Sequence, residues 1–304
     1  MQPQPLDIHL PSVRLAALDY RTACTNPSAT PVVLLHGQAD LAWAMHPVAL
    51  ALASRYRVVS VDLRGHGDSD HPGAYSMLHF VADLKGVIGY LGFERPIIIG
   101  HSLGGQIASQ FSGLYPDLVR ALVLAEGIGP PLAGHEGGDS DPDTARMLVE
   151  RVSAPTARRP LVDVDAAAAR LLATHPGLSP DVAALLASEG TRATPDGGVV
   201  WKFDTRTQHW FASLARATSE SRWQMVRCPT LVITGEIAWE RWWSKLDFAA
   251  AAGASGPDHD EIARRVACFN DVRHVELAAA GHMLQYDRPE ALNAVIAEFL
   301  GSLN

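Results

Sequence analysis

Among the side chains that could do covalent chemistry, Ser102 has the most informative surroundings. It stands in I-I-I-G-H-S-L-G-G, residues 97–105, between a short β-branched run and an Ala-containing helical pattern. The G-x-S-x-G spacing has a mechanical reason. A nucleophile on a sharp strand-to-helix turn is lifted clear of the sheet, and Gly100 and Gly104 leave room for close backbone approach. The helix that follows adds N–H donors and a favourable dipole. A plain serine turn is the bland alternative, and the strand before and helix after argue against it. A serine hydroxyl is a weak nucleophile until a base takes its proton. A base on a late loop completes the chain order Ser, acid, His. Of the 13 histidines, His282 fits that place, after V-R-H-V-E-L and the small-residue turn A-A-A-G, and before D-R-P-E and a final helix. His101 adjoins the serine and is expected to point off the turn. His36 and His66 precede glycines in other loops and read as residues that orient backbone.

The elements that must position these residues follow from periodicity. Short apolar runs alternate with longer Ala/Leu-rich helical patterns, as a mostly parallel sheet covered by helices requires. Residues 6–20 hold two alternating stretches around Pro11, a hairpin. Further strands are expected at Pro31 to Leu35, Tyr56 to Val61, Pro96 to Ile99, Ala121 to Ala125, Thr230 to Thr234 and Arg273 to Leu277, eight in all. Helices are expected near 41–54, 76–91, 104–115, 240–252, 258–267 and 288–300, the last with Ala291, Val295 and Phe299 at four-residue spacing. From Pro130 to Arg222 the rhythm breaks. No strong strand stands out there, and helical segments fall at 143–152, 164–174 and 180–189, while the polar stretch Gly134 to Asp141 reads as a hinge or loop.

L-L-H-G-Q at 34–38, D-L-R-G-H-G-D-S at 62–69, G-H-S-L-G-G at 100–105 and A-G-H-M at 280–283 together resemble the α/β-hydrolase fold family nearly end to end. The resemblance implies an α/β fold with an eight-stranded, mostly parallel sheet, a core over 1–129 and 223–304, and a helical cap at 130–222 with no sheet of its own. It also implies an oxyanion hole from the backbone N–H groups of Gln38 and Leu103, where two preorganised donors would stabilise a tetrahedral intermediate.

The acid departs from the commonest family pattern. Most members carry it after the strand written here P-T-L-V-I-T-G, as G-x-x-D, yet this chain has G-E-I-A, with Ala238 where the carboxylate is expected. Glu126, ending A-L-V-L-A-E-G, falls where a variant of the family places its acid. Glu236, directly after Gly235, is the alternative. Glu126 is favoured because residues that end neighbouring parallel strands converge on one sheet edge, where a carboxylate can reach the ring N–H of His282. Glu236 could instead be a loop residue capping the helix near Ala238 to Lys245, and Glu126 a buried strand-end carboxylate bonded to loop N–H groups.

In the family the insertion closes the pocket and chooses the substrate. His36, Trp43, His101, Trp210 and Met283 are the candidate pocket residues. Met45, Trp201, Phe203, Phe211, Trp239, Trp242 and Trp243 are further ones, although aromatics in such places also serve as interface packing.

Composition narrows the function classes. With 25 Lys+Arg against 33 Asp+Glu, net −8, and 47% apolar residues, the chain has no electrostatic footprint for nucleic acid or anionic lipid and enough apolar surface to fold. Cys24, Cys228 and Cys268 fit neither a disulfide framework nor a zinc cluster, so a reducing, cytoplasmic setting is expected. No membrane span, no cofactor and no metal are expected. The expected partner is a small-molecule substrate, the expected state a monomer or homodimer. The leading reading is a Ser-His-Glu hydrolase of a carboxylic ester or thioester of a small, largely apolar molecule. Dehalogenases and epoxide hydrolases of this fold need Asp where Ser102 stands. A C–C bond hydrolase or perhydrolase, or a ligand sensor with little turnover, are the alternatives.

Overall fold

The computed structural model describes residues 2–21, 26, 28–129, 142–153, 160–213, 215–245 and 256–303. The strands in chain order are β1 (Gln4–Leu10), β2 (Val13–Asp19), β3 (Pro31–Leu35), β4 (Arg57–Val61), β5 (Ile97–His101), β6 (Ala121–Ala125), β7 (Thr191–Ala193), β8 (Val199–Trp201), β9 (Thr230–Gly235) and β10 (Val272–Leu277). Eight of them make one sheet in the order β1-β2-β4-β3-β5-β6-β9-β10. β1 and β2 form the hairpin expected around Pro11, β2 runs antiparallel to β4, and from β4 onward every neighbour is parallel.

The helices are α1 (His46–Leu52), α2 (Met77–Leu91), α3 (Leu103–Leu114), α4 (Pro142–Ser153), α5 (Val164–Thr174), α6 (Pro180–Gly190), α7 (Arg216–Trp223), α8 (Ala238–Arg241), α9 (His259–Val266), α10 (Leu284–Asp287) and α11 (Pro289–Gly301). Local chemistry sets their ends. Ser76 and His79 form a capping box before α2, and Gly92 closes it at φ +63°. Asp163 and Ser179 accept from the backbone of the first turns of α5 and α6.

Strand residues of one parity (Val33, Ile98, Leu122, Val232) bury against Phe80, Ile107, Phe111 and Trp223 on one face. The other parity (Val32, Ile97, Val123, Leu231) buries against Val48, Leu52, Ile296 and Phe299 on the opposite face. Covered on both sides, the central strands read as unbroken β-branched runs rather than as alternation.

Between β6 and β9 the structure differs from expectation in one respect. α4, α5 and α6 fall where helices are expected, but β7 and β8 pair as an antiparallel hairpin, Thr191 opposite Trp201, and Leu161 bridges to Val199. The insertion therefore has a small sheet. Its turn, T-P-D-G-G with Gly197 and Gly198 at φ +84° and +85°, is a hairpin signal, and the flanking strands of three residues are too short to show a period. α7 lies inside the stretch expected to be insertion yet packs on α3, where Trp223 Nε1 donates to Ser109 Oγ at 2.9 Å. The polar stretch at 134–141 and the expected helix beyond Lys245 lie outside the described residues.

α5 and α6 form a helical hairpin whose Leu178, Ala183 and Leu186 cluster with Leu41, Ala44 and Tyr286 of the sheet domain. That seam brings the insertion over the carboxyl ends of the strands. No helix among the described residues is long and apolar enough to cross a membrane. Cys228 and Cys268 are free thiols, and Cys24 lies outside the described residues.

Candidate active site

Ser102 follows β5 at the turn into α3 with φ +51° and ψ −115°, a conformation costing on the order of 1–3 kcal/mol for a residue with a side chain. The surroundings over-determine it. Ser102 N donates to Ala125 O at 2.9 Å, and Gly104 N donates to His36 O at 3.1 Å. A Cβ on Gly104 would stand 2.3 Å from Leu35 O, and one on Gly100 would stand 2.3 Å from the Gly104 backbone. The spacing of glycines around the serine thus reports two backbone contacts that no larger residue permits.

Glu126 leaves β6 at a second turn of positive φ, +51°. Its N–H donates to Ile233 O at 2.8 Å, which ties the turn to β9. The two carbonyls that follow are also held: Gln106 Nε2 donates to Gly127 O at 2.6 Å and Arg265 Nη1 donates to Ile128 O at 3.0 Å. Arg265 and its partner Glu261, 2.7 Å apart, are both buried. α9 thereby anchors the loop behind the carboxylate.

His282 lies between these two turns. Its Nδ1 is 2.9 Å from Glu126 Oε2 and its Nε2 is 3.0 Å from Ser102 Oγ. A carboxylate only accepts, so this pairing places the proton on Nδ1 and leaves the Nε2 lone pair toward the serine hydroxyl. Glu126 receives two further donors, Gly235 N at 2.8 Å on Oε1 and Trp243 Nε1 at 3.0 Å on Oε2. The imidazole is packed between indoles: Trp242 stacks on it at 5.0 Å and 10°, and Trp243 meets it edge-on at 4.6 Å.

His101 does not point off the turn as expected. Buried, it donates Nε2–H to His282 O at 2.8 Å, clasping the loop that carries the base. Burial, then the neighbouring His282, pushes its pKa down to about 3, so it acts as a neutral donor at ordinary pH. Trp243 and His101 hold the constellation together; in the sequence Trp243 stands out only as one of three tryptophans after β9, with Trp239 and Trp242, and as a pocket candidate rather than a donor to the acid. Glu236 lies elsewhere, exposed, with Oε2 accepting from Ala279 N at 2.7 Å in a turn where Ala279 has φ +56°. Ala238, at the commonest acid position, is buried in α8.

The loop carrying Gln38 is stapled by His36, whose Nδ1–H donates to Gly37 O at 2.7 Å and whose Nε2 accepts from Leu63 N at 3.0 Å. Burial, then His66, lowers the His36 pKa well below the usual value. The Gln38 amide meets Thr207 Oγ1 at 2.6 Å, linking this loop to the insertion. Leu103 is the buried first residue of α3, so its N–H has no acceptor within the helix.

Ser102 and His282 open onto a cavity of about 290 Å³. Of the expected pocket residues, His101 and Met283 line it, as do Trp201, Phe203 and Trp242. His36, Trp43 and Trp210 do not. His36 is fully buried on backbone partners, Trp43 packs against His46 at 5.2 Å, and Trp210 packs against the main core. Met45 is likewise core, and Trp239 faces a small separate cavity behind Glu126. Proximity in sequence to the oxyanion loop misleads here, because α1 turns away from the cavity to cover the sheet. The side chain of Phe211 lies outside the described residues. α5 and α6 contribute Leu171 and Leu186 instead, and His175, just past the end of α5, joins them. Among the described residues no group of three or more His, Cys, Asp or Glu side chains could hold a metal ion.

Similarity to known proteins agrees with this fold. A serine hydrolase-like protein of Danio rerio is 32% identical over 183 residues, 58% of this chain and 55% of that one. The chain thus spans about half of that relative, and a third of an uncharacterised Mycobacterium bovis protein that is 39% identical over 112 residues. The 2-(acetamidomethylene)succinate hydrolase of Mesorhizobium japonicum is 27% identical over 270 residues, 88% of this chain and 87% of that one. Among solved structures, the thioesterase domain from the curacin biosynthetic pathway shares the fold with a TM-score of 0.80 at 24% identity, covering 98% of this chain and all of that one. The sequence model of the alpha/beta hydrolase family matches residues 32–295, and on that match the chain belongs to the alpha/beta hydrolase family.

Proposed function

We propose that the protein is a serine hydrolase that cleaves a carboxylic ester or thioester of a small, largely apolar molecule. The observation that carries this reading is the His282 ring, which bridges Ser102 Oγ at 3.0 Å and Glu126 Oε2 at 2.9 Å. His282 Nε2 takes the hydroxyl proton as Ser102 Oγ adds to the substrate carbonyl carbon, and the carbonyl electrons move onto oxygen. The backbone N–H groups of Gln38 and Leu103 stabilise that oxyanion. Collapse expels the alcohol or thiol, which takes the proton from His282, and a water repeats the sequence to release the acid. Glu126 keeps Nδ1 protonated and the ring aimed at the serine.

The part of the expected 130–222 insertion that precedes α7 serves as the cap. α5, α6 and the end of β8 supply one wall of the cavity, and Leu171, Leu186, Trp201 and Phe203 give it an apolar lining suited to an acyl or aromatic body. The test is steady-state hydrolysis of short 4-nitrophenyl esters and the matching thioesters. Multiple turnovers by the wild type with loss of on the order of 10⁴ or more in kcat for Ser102→Ala support the reading. A wild type that binds these compounds without turning them over is a sensor rather than an enzyme.

A further inference from the structure

The chain is acidic overall, net −8, yet the charged side chains on the wall of its catalytic cavity are chiefly cationic. Arg170 projects from α5 beside Leu171 and Thr174, and Lys202 follows β8 beside Trp201 and Phe203. Among the described residues the one carboxyl on that wall is Asp40, already engaged by Tyr286 Oη at 2.8 Å and by Leu41 N at 3.0 Å. Arg170 is exposed and has no ion pair among the described residues. Lys202 is paired with Asp68 at 2.8 Å, but the Asp68 side chain is 63% exposed; such a pair is worth little and exchanges readily for another anion.

Lys202 and Gly67 also border a second cleft, where Arg192 is exposed and Arg14 is occupied by Asp7 and Asp70. Lys202 therefore marks the outer edge of the catalytic cavity, where it opens toward the surface. Neither cation is committed to a buried partner: Arg170 is exposed, and the Asp68 that holds Lys202 is largely in water. An anionic group entering the cavity can therefore pair with both at little cost to the fold.

We infer that the substrate carries an anionic group, a carboxylate or a phosphate, on the end that reaches past Ser102 toward Lys202 and Arg170. The inference rests on the serine hydrolase reading for the bond that is cleaved, but binding tests it separately. Charge-assisted hydrogen bonds to guanidinium and ammonium make the effect about 10-fold to 100-fold in affinity.

The experiment measures binding calorimetrically on Ser102→Ala with matched esters: 4-nitrophenyl valerate, the 4-nitrophenyl monoester of glutaric acid, and 4-(valeryloxy)phenyl phosphate. At least one anionic ester binds 10-fold or more tightly than the neutral one, and which one identifies the carboxylate or the phosphate. Arg170→Gln with Lys202→Gln reduces that preference to within about two-fold, with a thermal melt confirming the folded state. In the charged protein, raising NaCl from 50 to 500 mM weakens the anionic ligand several-fold and leaves the neutral one unmoved. Equal affinities for neutral and anionic esters, or a preference that survives both substitutions, overturn the inference. Wild-type protein that hydrolyses none of the three counts against ester chemistry at Ser102, and the affinities still decide the anion.

Discussion

Trp243 donates its indole N–H to the same Glu126 oxygen, Oε2, that receives His282 Nδ1, at 3.0 and 2.9 Å. Trp243 follows β9, the strand after which the commonest relatives carry their acid. Here that segment supplies donors, Gly235 N and the indole, to a carboxylate arriving from β6. Trp243→Phe removes one of three donors and keeps most of the edge-on packing against His282. A hydrogen bond to a charged group is worth about 1.5–3 kcal/mol, so kcat falls roughly tenfold or more with KM little changed. Steady-state ester kinetics check this, and an unchanged kcat would show that the indole only packs.

Glu126→Gln replaces a carboxylate with an amide that can present its NH₂ to His282 Nδ1 and so stabilise the wrong tautomer. Loss of the orienting acid in such triads costs on the order of 10⁴ in kcat. Glu236→Gln keeps an acceptor for Ala279 N and leaves kcat within about two-fold. If the two variants behave the other way round, the acid belongs to Glu236.

Arg265 joins Glu261 to the carbonyl of Ile128, two residues beyond Glu126. Breaking a buried pair costs about 3–5 kcal/mol when the partner is left alone. Glu261 keeps Arg264 at 2.7 Å, so Arg265→Met costs about 2 kcal/mol on that scale. It also lowers kcat by loosening the Glu126 turn. Urea unfolding with an unchanged m-value measures the first effect. Full stability in this variant would remove α9 from the account of how Glu126 is held.

The sheet was legible because buried parallel strands have to be written in Val, Ile and Leu between turn residues, as at Pro31 to Leu35 and Thr230 to Thr234. Ser102 and His282 were legible because their turns demand particular neighbours. Which side chains face the cavity was less so. Trp43 and Trp210 are aromatic and near the right loops, but a helix can turn either face to its pocket, and only packing shows that both serve the core. The role of His101 depends on a carbonyl 181 positions away, a contact no local pattern encodes.

Asp40 gives a pH signature. Half-buried at the cavity, its carboxyl is pushed up to about 7 by burial, against the donors Tyr286 and Leu41. Between the ordinary carboxyl value near 3.8 and 7 the folded state binds more protons than the unfolded chain, so Asp40 subtracts stability as pH rises through that window. Asp40→Asn retains an acceptor for both donors and escapes this cost. Its stability relative to wild type therefore improves between pH 4.5 and pH 8, by about 1 kcal/mol once water access to the cavity is allowed for. Thermal melts of both proteins at the two pH values check the sign; a difference independent of pH contradicts it.

The central claim is that His282 activates Ser102, and stoichiometric labelling with a fluorophosphonate tests it most directly. Peptide mass mapping is expected to find a single adduct on Ser102, absent from Ser102→Ala and formed at least about 10³-fold more slowly in His282→Ala. An adduct on another residue, or labelling of His282→Ala at the wild-type rate, would contradict the account.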